Sequence, residues 1–203
     1  MAAEPNTSTD KSSDTTSAPD TAHQTAHGYL GHIKQVLSAP DAFFRAENRS
    51  EKINGLIDIG GFLLVMWFAA LIARVNGYND WNFEFSYVVD AIKTMLAIGI
   101  PIVAVLFALQ WLGGRAGGQK SLDFYIEKLG GALVLPCLLL IVGLLLDIID
   151  VRIHSWFRGA AMVFVYLAVF LLSVGYAAPG KLKSAALLTL GFYFAYRLLV
   201  LLF

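Results

Sequence analysis

The chain has one cysteine, Cys137, among 203 residues, so no internal disulfide can form and cysteine usage does not mark a redox compartment. Charge is scarce and balanced. Fifteen basic and 15 acidic residues give a formal net charge of zero, which leaves no overall field to gather nucleic acid or acidic substrates. Residues 1–28 contain no aromatic or large aliphatic residue after Met1. They hold no apolar core for a cleavable secretion signal, so the first apolar stretch is expected to direct insertion. Rich in Ser, Thr, Asp and Pro, they cannot bury enough surface to offset ordering entropy and are expected to form a disordered tail. His23, His27 and His32, with no cysteine or carboxylate in register, read as solvated tail residues and not as metal ligands.

Catalytic signatures are missing as well. There is no HExxH for a zinc protease and no GxSxG for a serine hydrolase. The stretch Gly113-Gly114-Arg115-Ala116-Gly117-Gly118-Gln119-Lys120-Ser121 has Gln119 where a phosphate-binding loop needs Lys directly before Ser or Thr, and it follows an apolar run where that motif follows a strand. It reads as a flexible loop. No catalytic, metal or cofactor-binding residue is assigned, and the protein is expected not to be an enzyme.

What the chain does have is apolar sequence: 57% hydrophobic residues and a mean hydropathy of +0.64. Five stretches, roughly 55–75, 86–112, 129–149, 157–177 and 184–203, each approach the ~20 apolar residues that a bilayer core requires. The expected fold is all-α, an integral membrane bundle of five transmembrane helices over residues 53–203. Residues 29–52 precede it as an amphipathic segment. Leu30, Ile33, Val36 and Leu37 recur at helical spacing, then Ser38-Ala39-Pro40-Asp41 supplies a helix start ahead of Ala42-Phe43-Phe44-Arg45. Two short amphipathic helices on the membrane surface, or folded under the bundle, are predicted.

Basic residues set the expected orientation. Lys34, Arg45, Arg49 and Lys52 precede the first span, Arg115 and Lys120 lie between the second and third, and Lys181 and Lys183 between the fourth and fifth. The loop 76–85 has neither Lys nor Arg. The positive-inside rule then puts the N-terminus in the cytoplasm and Phe203 near the outer face. Trp111, Tyr125 and Tyr176 at one boundary, and Tyr78, Trp81, Tyr87 and Trp156 at the other, agree with that arrangement.

Ionisable residues within spans are the most informative positions, because each costs about 2.5–3.5 kcal/mol at a helix centre unless it faces protein or water. At 1.5 Å per residue, Asp90 lies roughly 6 Å below the outer end of its span, and Lys93 and Arg197 both lie ~10 Å down. Asp147 and Asp150 close the third span at the same face, beside Arg152 and Arg158. Asp90, Lys93, Asp147, Asp150 and Arg197 are therefore a candidate polar cluster. Either they compensate one another and fix helix register, or they line a cavity for an ion, a proton or a lipid headgroup. Asp58, about one turn inside the first span with Asn54 at i−4, is a candidate for an inner vestibule. Glu127 and Lys128 stand at the inner boundary, where a long side chain can snorkel. Pro101 and Pro136 remove backbone donors near Gly99 and near Gly130 and Gly131, marking kinked packing sites or a pocket beside them. Gly55, Gly60 and Gly61 would permit close helix contact.

With the segment from Ser38 to Arg45, the run Lys128-Leu129-Gly130-Gly131-Ala132-Leu133-Val134-Leu135-Pro136 and five spans, the chain resembles the Yip1-domain family, particularly its bacterial members, from about residue 30 onward. The DLYGP-type stretch of the eukaryotic trafficking members is absent; Gly55-Leu56-Ile57-Asp58-Ile59-Gly60 is its distant counterpart. The resemblance implies a non-enzymatic protein of a bacterial inner membrane that binds membrane lipids and other membrane proteins, and it carries over no catalytic residue. A homo-oligomer is compatible with it. The expected role is an interaction or scaffold protein; the alternative is a small transporter or channel built on the charged cluster.

Overall fold

The computed structural model describes residues 18–45, 52–77, 84–117, 120–149 and 153–203. Among them are seven α-helices and no strand: α1 (Ala18–Ser38), α2 (Pro40–Arg45), α3 (Lys52–Gly77), α4 (Phe85–Arg115), α5 (Leu122–Ile148), α6 (His154–Leu172) and α7 (Leu182–Leu202). Five of these helices, α3 to α7, are long and apolar enough to cross a membrane, α6 through the wider π-helical turn Ser173–Ala177 that closes it. The protein is thus an all-α, multi-pass membrane protein. α1 and α2 lie at the end of the bundle where α3, α5 and α7 begin, called here the docking end.

Helix α1 begins at Ala18, well inside the tail expected over residues 1–28. Ser17-Ala18-Pro19-Asp20 is a helix-start signal, with Pro and an acidic residue in the first turn, and alanines follow. Residues 18–28 of the expected tail thus fall within α1, and residues 1–17 lie outside the described ones. Ala39, the residue before Pro40, separates α1 from α2, and Pro40 opens α2.

Helix α5 is the centre of the bundle. Between Lys128 and Asp147 it has no polar residue, and a helix apolar on all sides belongs inside a core or a membrane. Its closest neighbours are α3 and α6; α4 packs on α3, and α7 closes the bundle against α4 and α6. Ser121 caps it, accepting a hydrogen bond from the Phe124 backbone N–H at 3.3 Å, with Asp123 in the first turn to complement the dipole. α7 contributes far less to the core: only Ala185 and Phe192 are buried.

Contact between α3 and α5 is made by glycines. A Cβ on Gly55 would stand 2.5 Å from the carbonyl oxygen of Ile126, and a Cβ on Gly130 would strike the backbone of Gly55. Only bare backbones can cross this closely. Gly60 and Gly61 have nothing within 4 Å of an added Cβ, so of the three first-span glycines only Gly55 serves the contact. Pro101 and Pro136 are both buried within helices that continue past them. An apolar gap of about 190 Å³ lies beside Pro101, between α4 and α7.

Candidate functional site

The first element of the site is a buried carboxylate. Asp58 is 4% exposed, one turn and a half into α3, whose basic residues, Lys52 and Arg74, lie towards its two ends. α1 supplies two partners: the Tyr29 hydroxyl donates to Asp58 Oδ1 at 2.8 Å, and His32 Nε2 lies 2.8 Å from Oδ2. A carboxylate only accepts, so both partners are donors. Tyr29 and His32 sit three residues apart and share one face of α1, with Val36 a turn further on in the same stripe. Asp58 is therefore roofed by α1 and does not line an open vestibule. Burial, then the hydrogen bond and charge of Asp58, push the Tyr29 phenol above its ordinary pKa.

A second polar group meets the other side of the α1–α2 elbow. The Lys128 side chain is fully buried and donates to the Phe43 carbonyl at 2.6 Å. Its ammonium is 3.5 Å from Glu127 Oε1 and 4.3 Å from the centre of the Phe43 ring. The expectation that Glu127 and Lys128 snorkel to the boundary is corrected: both are buried, Lys128 beneath Phe43 of α2 and Glu127 where α3 crosses at Gly55. The Phe43 ring packs edge-on against His32, with ring centres 5.4 Å apart. It rests on Gly131, where a Cβ would come 2.5 Å from the ring. Gly130 and Gly131 thus do two jobs, one admitting α3 and the other admitting Phe43. At the rim, Lys52 and Asp123 pair across α3 and α5 at 2.9 Å, both half exposed.

Tyr29, His32, Phe43, Asp58, Glu127 and Lys128 form one junction that fastens the amphipathic segment to α3 and α5. Sequence reasoning assigned His32 to the solvated tail and so missed it; the signal was the Tyr29, His32, Val36 stripe facing a lone intramembrane aspartate.

The charged residues at the opposite end are divided between separate contacts. Asp90 pairs with Lys93 at 3.3 Å and with Arg74 of α3 at 3.8 Å. Asp147 pairs with Arg158 of α6 at 3.2 Å, and Arg158 also donates to the Ala69 carbonyl at 3.4 Å. Among the described residues no hydrogen bond or ion pair joins Arg197, exposed on α7, to Asp90, Lys93 or Asp147. Asp150 lies outside the described residues. These ion pairs tie α3 to α4 and α5 to α6, with Arg158 reaching α3.

Among the described residues no three His, Cys, Asp or Glu side chains are grouped to hold a metal ion. The fold and the junction define an integral membrane protein of five spans with a docked amphipathic N-terminal segment. Comparisons with protein-family models, curated proteins and solved structures find no match.

Proposed function

We propose that this protein is a non-enzymatic interaction or scaffold protein of a bacterial inner membrane, of the Yip1-like type, which presents its docked α1–α2 segment to membrane partners on the cytoplasmic side. The observation that carries this reading is the junction itself. Burying Asp58, His32, Glu127 and Lys128 is costly unless each is paired, and a chain that only needed to span the bilayer would have no use for such an attachment. It holds α1 and α2 in one position, so that the exposed residues Leu30, Lys34 and Leu37 form a fixed surface. The basic residues at this end favour a cytoplasmic placement by the positive-inside rule.

The transporter alternative is less well supported, since Asp90 and Asp147 are each engaged by an arginine of a neighbouring helix and Arg197 stands apart from both. The test is native mass spectrometry of the protein extracted gently from its own membrane. The scaffold reading expects a membrane protein retained at stoichiometric ratio and lost from the Asp58→Ala variant while the bundle stays folded. Wild-type chains that carry no protein partner, or a partner retained unchanged by that variant, would refute it.

A further inference from the structure

The elbow between α1 and α2 leaves a feature that the junction does not use. An open groove of about 680 Å³ runs between this elbow and the facing sides of α5 and α6. Its floor is made by small residues, Gly131 and Ala132 of α5 with Ala168 and Gly175 of α6. A Cβ on Gly175 would meet nothing within 4 Å, so the space beside it is empty.

Polarity in the groove is confined to one end. Among the described residues Asp41 is the one charged residue of its lining, and with Tyr176 it marks the docking end; towards Leu135 and Phe164 the described lining is apolar. Phe164 and Tyr176 are separated along their helix by ~18 Å at 1.5 Å per residue, close to the ~15 Å depth of one leaflet.

We propose that the groove is a lipid site: it takes an acyl chain of one phospholipid whose headgroup bears a primary ammonium beside Asp41. The groove opens between membrane-spanning helices, where the surrounding medium is lipid, and its gradient from carboxylate to hydrocarbon matches such an amphiphile end to end. An anionic headgroup would meet Asp41 with like charge, and a quaternary ammonium has no proton to donate to it. This goes beyond the scaffold reading, because the groove can hold a lipid whether or not a protein partner exists.

The experiment is native mass spectrometry of the full-length protein in detergent, titrated with phosphatidylethanolamine, phosphatidylcholine or phosphatidylglycerol of identical acyl chains. The expected result is a single phosphatidylethanolamine adduct at roughly fivefold lower lipid concentration than the other two, about what one partly exposed charge-assisted hydrogen bond gives. Asp41→Asn, at an exposed position, should abolish that preference and keep the adduct. Gly175→Leu should fill the empty floor and weaken binding of all three lipids about tenfold. Phosphatidylglycerol bound as well as phosphatidylethanolamine, or an adduct indifferent to Gly175→Leu, overturns the proposal. So does a dimer of chains, or a retained peptide, that Gly175→Leu dissolves, since either would be the true occupant.

Discussion

Replacing Asp58 with alanine should release α1 from the bundle without unfolding the bundle. Asp58 accepts from Tyr29 and His32 at 2.8 Å each, and a hydrogen bond to a charged group contributes about 1.5–3 kcal/mol. The pair therefore holds the docked state by at least ~3 kcal/mol, and its loss would also leave a phenol and an imidazole buried without an acceptor. Those donors can reach water only if α1 lifts, so the penalty appears as undocking. A shift of ~3 kcal/mol corresponds to more than a hundredfold change in the docking equilibrium. Hydrogen exchange in lipid nanodiscs reads this directly, because amide protection follows the free energy of local opening. Amides from Tyr29 to Leu37 should exchange about a hundredfold faster in Asp58→Ala, while those of the α5 core stay as in wild type. Asp58→Asn keeps one acceptor oxygen and should give a much smaller effect. Unchanged protection of α1 in Asp58→Ala, within a factor of about three, would show that the reasoning about the junction is wrong.

Four further outcomes follow from the same structure. Gly55→Ala puts a methyl group onto the α5 backbone and should cost ~3 kcal/mol or more of bundle stability, whereas Gly60→Ala, with open space at its Cβ, should be nearly neutral; thermal or detergent unfolding compares them. Arg158→Gln and Asp147→Asn should each destabilise the bundle, and the double variant by less than their sum, with a coupling of about 1–3 kcal/mol in a double-mutant cycle. Ser173→Ala removes a buried hydroxyl that has no hydrogen-bond partner and should leave stability unchanged or raise it by up to ~1 kcal/mol; a loss of more than that would reveal a partner. Because the Tyr29 pKa is raised by docking, the neutral phenol is the form that docks: docking is at full strength below the ordinary phenol value of 10.0 and weakens as pH rises above it. α1 protection, corrected for the intrinsic rise of exchange with pH, should therefore hold up to about pH 10 and fall progressively above it, and Tyr29→Phe should remove that dependence.

Five spans were legible because hydrocarbon thickness imposes length and apolarity on each one locally, and every expected span falls, to within one residue, inside an observed helix or its closing turn. The two amphipathic helices were legible for a similar reason, from the stripe at Leu30 to Leu37 and the break at Pro40. The site was harder because its contacts join residues distant in sequence. Tyr29 meets Asp58 across a separation of 29 residues and Lys128 meets Phe43 across 85, and no local pattern encodes either. Composition also misled: His32 follows a polar stretch that reads as tail, yet it lies on the apolar side of α1. Depth alone placed Asp90, Lys93, Asp147 and Arg197 at one level, but level does not determine lateral neighbours. Arg158 took Asp147, Arg74 took Asp90, and Arg197 faces outward. Glycine could be read only as permission for close contact; which of Gly55, Gly60 and Gly61 used it depended on where α5 crosses α3.

Fixation of α1 to the bundle by the Asp58 junction is read most directly as a distance. Spin labels at Leu30→Cys on α1 and Ile57→Cys on α3, both exposed positions, in a Cys137→Ala background, can be examined by pulsed electron resonance in native-like bilayers. A docked α1 gives a single short, narrow distance that becomes long and broad on Asp58→Ala. A long or broad distribution in the chain with Asp58 intact would contradict it.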